Sequence, residues 1–353
     1  LSILAGRRHF HPWLYGQYIQ LSCPGHYDFE RVVKQRFELF DFYNHPDYSA
    51  VHPFRHVLVA PFLESHWLDR RLVVRTDGLT TFLVEAIGLG YYVEACVDAF
   101  YVPGSDAYQE RHSCQEVLVS GFDSESESFV VSIGFDRSGD YTIDELTFDE
   151  VERAIASADL KGHTNQLGLC LLRPIPEISH ELDTEWILAQ LEDYVWSKNS
   201  SRRFAALRNH DTRFYGLATY EWLERYFRFL RDRPDCTDVR PIHIFWEHKK
   251  LMMDRLRYLE ARGVLFGGDG FSDRYERLAT KAGVLRMMLL KARLTRDPSI
   301  VERIADGVGQ MGLEEREVLL ESIEALDLRN RCSGVREAPV VSTPSNLLAG
   351  MHS

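Results

Sequence analysis

His112 and Asp136 stand at the two ends of a paired apolar motif, and an imidazole beside a carboxylate is the combination that moves protons to and from a nucleophile. Between them run QEVLVSGFD (115–123) and SFVVSIGFD (128–136), joined by SESE, which predicts an antiparallel hairpin. Ordinary hairpins also carry His and Asp near their ends, so a structural role for the pair stays open. Cys114 is a poor nucleophile for His112, because two residues on in an extended strand it shares the same face with no helix terminus to activate it. Glu116 is a further candidate base on that strand.

A second group lies in DVRPIHIFWEHKKLMMDRLRYL (238–259), where Glu247, His248, Lys249 and Lys250 fall within one helical turn and Arg255 and Arg257 follow. His248 is a candidate base there, and Glu247 and Lys249 are candidate substrate contacts. Lys250 and Arg255, with Arg202 and Arg203, form a candidate docking face for an anionic donor. The competing reading is an amphipathic helix whose Ile244, Trp246, Leu251, Met252, Leu256 and Leu259 pack a core. Tyr101 and Tyr108, around the VPGSDAY loop, and Asp98 just before it are candidates for an acceptor pocket.

Other chemistries lack their motifs. His243 and His248 flank Glu247 but sit five apart, which is not H-E-x-x-H, and His9, His11, His45 and His52 have no ligand spacing, so no metal is expected. GLGYY lacks the third glycine of a dinucleotide fingerprint and FGGDGFSD lacks the P-loop Lys, so no nucleotide cofactor is expected. The six cysteines are scattered without a C-x-x-C pair, which predicts reduced thiols in a reducing, cytoplasmic setting.

At 353 residues, with 45% hydrophobic and 27% charged side chains, the chain has a globular composition and is long enough for two domains. Its start, LSILAGRRHFHPWLYG, is charged too early for a signal sequence or membrane span, and no membrane partner is expected. With Leu1 in first place and no helix cap before LSIL, the chain is expected to begin inside its first element. The net charge of −12 is uneven: residues 1–200 carry 15 Lys/Arg against 31 Asp/Glu, whereas residues 201–300 carry 21 against 13. Such a basic segment can focus an anionic partner, tRNA or an acidic carrier protein, or simply decorate solvated helices.

These residues need elements to hold them. Strand patterns occur at 17–23, 55–62, 91–102, 115–123, 128–136 and 165–175, and helix patterns at 79–90 and after the capping box Thr147–Glu150. From about Asp183 long amphipathic helices follow one another. The expected organisation is a mixed α/β domain over 1–180, an α-helical domain over 181–328 and a disordered tail over 329–353.

The strings WLYGQYIQLSC (13–23), GYYVEACVDAFYVPGSDAYQERHSCQEVLVSGFD (90–123), YTIDELTFDEVERA (141–154), FYGLATYEWLERYF (214–227) and the 238–259 block resemble, in order and spacing, the butirosin-biosynthesis acyltransferase family. The resemblance covers most of residues 1–325. It implies an α+β chain: a papain-like N-terminal domain, akin to bacteriocin-processing cysteine peptidases, followed by a helical domain. It also implies transfer of an acyl or aminoacyl group from a carrier-protein thioester or an aminoacyl-tRNA to an amine or hydroxyl of a small molecule. The family's H-x-x-H-D segment begins at His112 but continues with Gln115 and Glu116, and its early Cys would fall at or before Leu1. With that Cys the reaction would pass through an acyl-enzyme; without it, the protein would hold an activated ester beside its acceptor. A hydrolase or peptidase using water, and a non-catalytic binding protein, are the alternatives.

Overall fold

Val93, Ala95 and Val97 alternate with Glu94, Cys96 and Asp98, so an extended backbone here sends apolar side chains to one face and reactive ones to the other. The computed structural model forms that strand, and it describes residues 10–35, 40–43, 62–74, 78–105, 107–133, 142–158, 168–176, 178, 180–203, 212–266 and 270–334.

In chain order the elements begin with α1 (His11–Leu14), β1 (Leu21–Pro24), α2 (Phe29–Gln35) and β2 (Asp41–Phe42). Next come β3 (Leu63–Asp69), α3 (Arg70–Val74), α4 (Leu79–Gly88), β4 (Tyr92–Asp98), β5 (Cys114–Asp123), β6 (Ser128–Ile133), β7 (Thr142–Thr147), α5 (Phe148–Ser157) and β8 (Gly168–Pro174). The rest is mainly helical: α6 (Thr184–Val195), β9 (Arg213–Tyr215), α7 (Ala218–Asp232), α8 (Arg240–Ala261), α9 (Phe271–Thr295) and α10 (Pro298–Gly334). The chain is therefore mixed α+β, with a sheet-rich N-terminal region and a helical C-terminal region. It divides into one unit of residues 1–11 and 46–180 and another of 12–45 and 181–353. Residues 12–45, assigned by sequence to the first domain, group with the helices.

The first unit is built on a six-stranded antiparallel sheet in the order β3-β8-β4-β5-β6-β7. Its odd-numbered face, with Val93, Val97, Val117, Val119, Val131 and Ile133, packs against Leu79 and Leu83 of α4 and Val151 and Ile155 of α5. Each buried Val or Leu contributes about 1.5–3 kcal/mol, and that face becomes the core. α5 starts where the sequence predicts: the Thr147 hydroxyl accepts from the Glu150 N–H, and the Glu150 carboxylate accepts from the Thr147 N–H. β5 and β6 form the expected hairpin, with a bulge between Val119 and Gly121.

In the second unit, β2-β1-β9 make a small antiparallel sheet beside helices α6–α10. The core of α8 is Ile242, Phe245, His248, Lys249, Met252, Arg255, Leu256 and Leu259. Ile244, Trp246 and Leu251, expected in it, are only half-buried.

Three expected boundaries change. The strand expected at 17–23 is Leu21–Pro24, and the one expected over 91–102 ends at Asp98, where a 3₁₀ turn over Ala99–Tyr101 begins. The tail expected from 329 is still helix to Gly334, because α10 continues unbroken over 37 residues. Strands β3 and β7 were not anticipated; their mixed polar sequences, LESHWLD and TIDELT, mask them. Residues 55–61 of the strand expected at 55–62 lie outside the described residues. Among the described residues, no helix is long and apolar enough to cross a membrane.

Candidate functional site

β4 ends at Asp98, whose carboxylate is buried, and β5 begins just after His112, whose side chain is 65% exposed. The hairpin register that sets Asp98 opposite Cys114 brings the two together, with His112 Nδ1 at 2.6 Å from Asp98 Oδ2. The other carboxylate oxygen, Oδ1, accepts from the backbone N–H of Phe100 at 3.1 Å and of Ser113 at 3.3 Å. Asp98 therefore also caps the 3₁₀ turn, which ties the carboxylate to the backbone on both sides of the loop. The imidazole stacks on Phe100, ring centroids 4.4 Å apart, with Tyr101 at 6.2 Å.

A carboxylate accepting from Nδ1–H selects the tautomer in which Nε2 carries the lone pair. Among the described residues Nε2 has no hydrogen-bond partner. The arrangement is a largely exposed imidazole whose ring plane is fixed by a buried carboxylate and by the stack on Phe100.

The same face of β4 and β5 carries Glu94, Cys96, Cys114 and Glu116. Cys96 and Cys114 form a disulfide, Cα atoms 6.2 Å apart, which corrects the expectation of reduced thiols: diagonal neighbours on paired strands lie within bonding reach. The bond joins the residue two before Asp98 to the residue two after His112. Burial, and then the nearby Glu116, push the Glu94 carboxyl up to about 7. Cys170, opposite Glu94 on β8, is a buried thiol whose pKa is raised by burial and then by Glu94, so it is held as the unreactive thiol.

The sequence candidates divide as follows. Asp98, expected to touch substrate, bonds to His112, the position expected of Asp136, which lies outside the described residues. Glu116 is exposed on the site face, while Tyr101 and Tyr108 are half-buried in the loop. His248 is a correction: it is fully buried, its Nε2 bonded to the Ile19 carbonyl and its Nδ1 accepting from Lys249 Nζ, and burial and then Lys249 drive its pKa well below the usual range. A neutral, doubly engaged imidazole has no access to substrate.

Lys249, also fully buried, corrects the same way: Nζ lies 2.8 Å from Glu315 Oε1 and 3.1 Å from Tyr194 Oη. Arg255 is buried rather than available for docking, donating to the Tyr15 and Gln17 carbonyls. Arg203 is held bidentately by Asp193, at 2.8 and 2.9 Å, while Arg202 is exposed. Glu247 pairs with Lys250 at 2.7 Å on the surface.

Sequence reasoning missed Glu94 and the Asp98–His112 partnership. The available signal was the polar alternation of Glu94, Cys96 and Asp98 within an otherwise apolar strand. Among the described residues no group of three or more His, Cys, Asp or Glu is placed to hold a metal ion. A histidine–carboxylate pair on the rim of an antiparallel sheet is what fold and site define. Compared with known proteins, the chain matches no family model and no curated protein.

Proposed function

We propose that the protein is a papain-like acyl or aminoacyl transferase, with His112 as general base and Asp98 as the residue that orients it. The observation that carries this reading is the 2.6 Å contact between the buried Asp98 carboxylate and a His112 side chain that is 65% exposed. The acceptor's N–H or O–H gives its proton to Nε2 as its heteroatom bonds to the acyl carbonyl carbon. The C–S or C–O bond to the donor then breaks, and the imidazolium returns the proton to the departing sulfur or oxygen. The resemblance to the butirosin-biosynthesis acyltransferase family supports a thioester or aminoacyl-tRNA donor and a small-molecule acceptor in natural-product assembly. Glu116 and Glu94 line the same strand face as candidate contacts for the acceptor.

The pairing of Cys114 with Cys96, and the burial of Cys170, favour direct transfer from an already activated ester over an acyl-enzyme on any of these three. The test offers aminoacyl N-acetylcysteamine thioesters and total aminoacyl-tRNA as donors with a panel of small amines and alcohols, followed by mass spectrometry. Amide or ester product that His112→Gln lowers by about 10²–10⁴-fold supports the reading. Free acid formed at the same rate without any acceptor identifies a hydrolase, and product formation unaffected by His112→Gln overturns the role of the dyad.

A further inference from the structure

Helix α9 is apolar on two sides. One stripe, Phe271, Tyr275, Leu278, Ala282, Leu285, Leu289 and Ala292, is buried in the core of its unit. A second, at the same helical spacing, runs through Thr280, Val284, Met287, Lys291 and Leu294, and its apolar members are 54%, 59% and 85% exposed. A helix that is apolar all round is ordinarily buried all round, and contiguous exposed apolar surface marks an interaction site.

The second stripe forms one wall of an open cleft of about 490 Å³, lined by Trp246 of α8 with Gly283, Val284, Met287, Met288 and Lys291. Gly283 lets Trp246 lie close against α9: a Cβ there would stand 3.0 Å from Trp246 Nε1, a contact that the indole would have to move to relieve. The charge around this bed is mainly cationic, with Glu247 beside Lys250 and Glu314 beside Lys281 as the acids. Residues 277–296 contain six Lys/Arg and no Asp or Glu. Arg286 lies 5.0 Å and Lys250 3.8 Å from the Trp246 ring, and Lys291 lines the cleft.

We infer that this face of α9 docks an acidic amphipathic helix of a partner protein. An apolar bed with a cationic rim is complementary to a helix that presents Leu or Ile along one stripe and Glu or Asp on its flanks. Methionines at 287 and 288 repack around unlike side chains, which suits a helix docked from another chain. RNA is disfavoured as occupant, because phosphates gain nothing from exposed Val284, Met287 and Leu294. A second copy is disfavoured because a two-fold contact centred on α9 would set Lys291 and Arg293 against themselves. The inference is independent of the acyl-transfer reading and concerns only the helical unit.

The probe is a labelled acidic helical peptide of about 18 residues with Leu at i, i+4, i+7 and i+11, titrated with the full chain by fluorescence anisotropy beside a scrambled control. Binding of the patterned peptide, weakened at least about tenfold by Met287→Glu and by Lys291→Glu and further by salt, is expected. Both positions are exposed, and an unchanged Tm shows that each variant folds. No binding, or equal binding by the scrambled peptide or by both variants, overturns the proposal. Dimerisation in light scattering that Met287→Glu abolishes reassigns the face to a second copy. Binding of a tRNA mixture that Lys291→Glu weakens and Met287→Glu leaves unchanged reassigns it to RNA.

Discussion

Asp98 holds His112 through a single 2.6 Å contact that crosses the β4–β5 loop, and the two backbone amides that bind its other oxygen belong to Phe100 and Ser113. One carboxylate thus sets the tautomer, the ring plane and the shape of the loop together. The pair joins a buried carboxylate to an exposed ring, which sets it apart from an ion pair between two exposed side chains.

Asp98→Asn keeps the shape of the side chain while removing its charge, so Nδ1 is no longer held as a donor to an anion. Transfer activity is expected to fall about 10²–10⁴-fold with Tm little changed. Two-dimensional NMR of the imidazole is expected to show the Nδ1–H tautomer only in the parent chain. Equal activity and identical imidazole shifts in the variant would remove Asp98 from the mechanism.

Glu94 keeps its proton to about pH 7 in the folded chain, whereas the unfolded side chain loses it near the ordinary 4.5. The folded state binds more protons across that window, so this residue's contribution to stability is full below pH 4.5 and is lost as pH rises through about 7. Glu94→Gln is expected to flatten the decline of Tm with rising pH in that range. A variant with the parent's slope would refute the assignment.

The Cys96–Cys114 bond closes a loop with a sequence separation of 18. Loops of that size lose enough denatured-state entropy to stabilise the fold by about 3 kcal/mol. A non-reducing peptide map is expected to contain a 96–114 cross-linked pair, and reductant to lower the Tm of the parent but not of a Cys96→Ala/Cys114→Ala chain. Free thiols at both positions in the map would disprove the link.

Lys249 and Glu315 are both fully buried, and Glu315 also accepts from the hydroxyls of Tyr194, Tyr220 and Tyr275. Lys249→Met leaves an unpaired buried carboxylate, for which the expected cost is about 3–5 kcal/mol in denaturant unfolding. Adding Glu315→Leu is expected to recover part of it. A single variant as stable as the parent would show that the pair is not required.

Periodicity made much of this chain legible. The 3.6-residue spacing located α6 to α10, the Thr147–Glu150 box marked the start of α5, and alternation with the SESE turn produced the β5–β6 hairpin, because each of these signals acts over a few neighbouring residues. Identity of a polar residue did not reveal its surroundings. His248, Lys249 and Arg255 read as surface chemistry, yet the spacing that places Phe245, Met252 and Leu256 inside places them inside as well, where partners up to 240 residues away satisfy them.

By itself the sequence determined the split between a sheet-rich and a helical region, the order of the long helices, and the acid-free basic run along α9. Tertiary structure alone decided that Asp98 serves His112, that Cys96 reaches Cys114, and that one apolar stripe of α9 is covered while the other is not. Those outcomes depend on strand register and on which helix faces meet. Both are set by the joint packing of distant segments, and no local pattern encodes that packing.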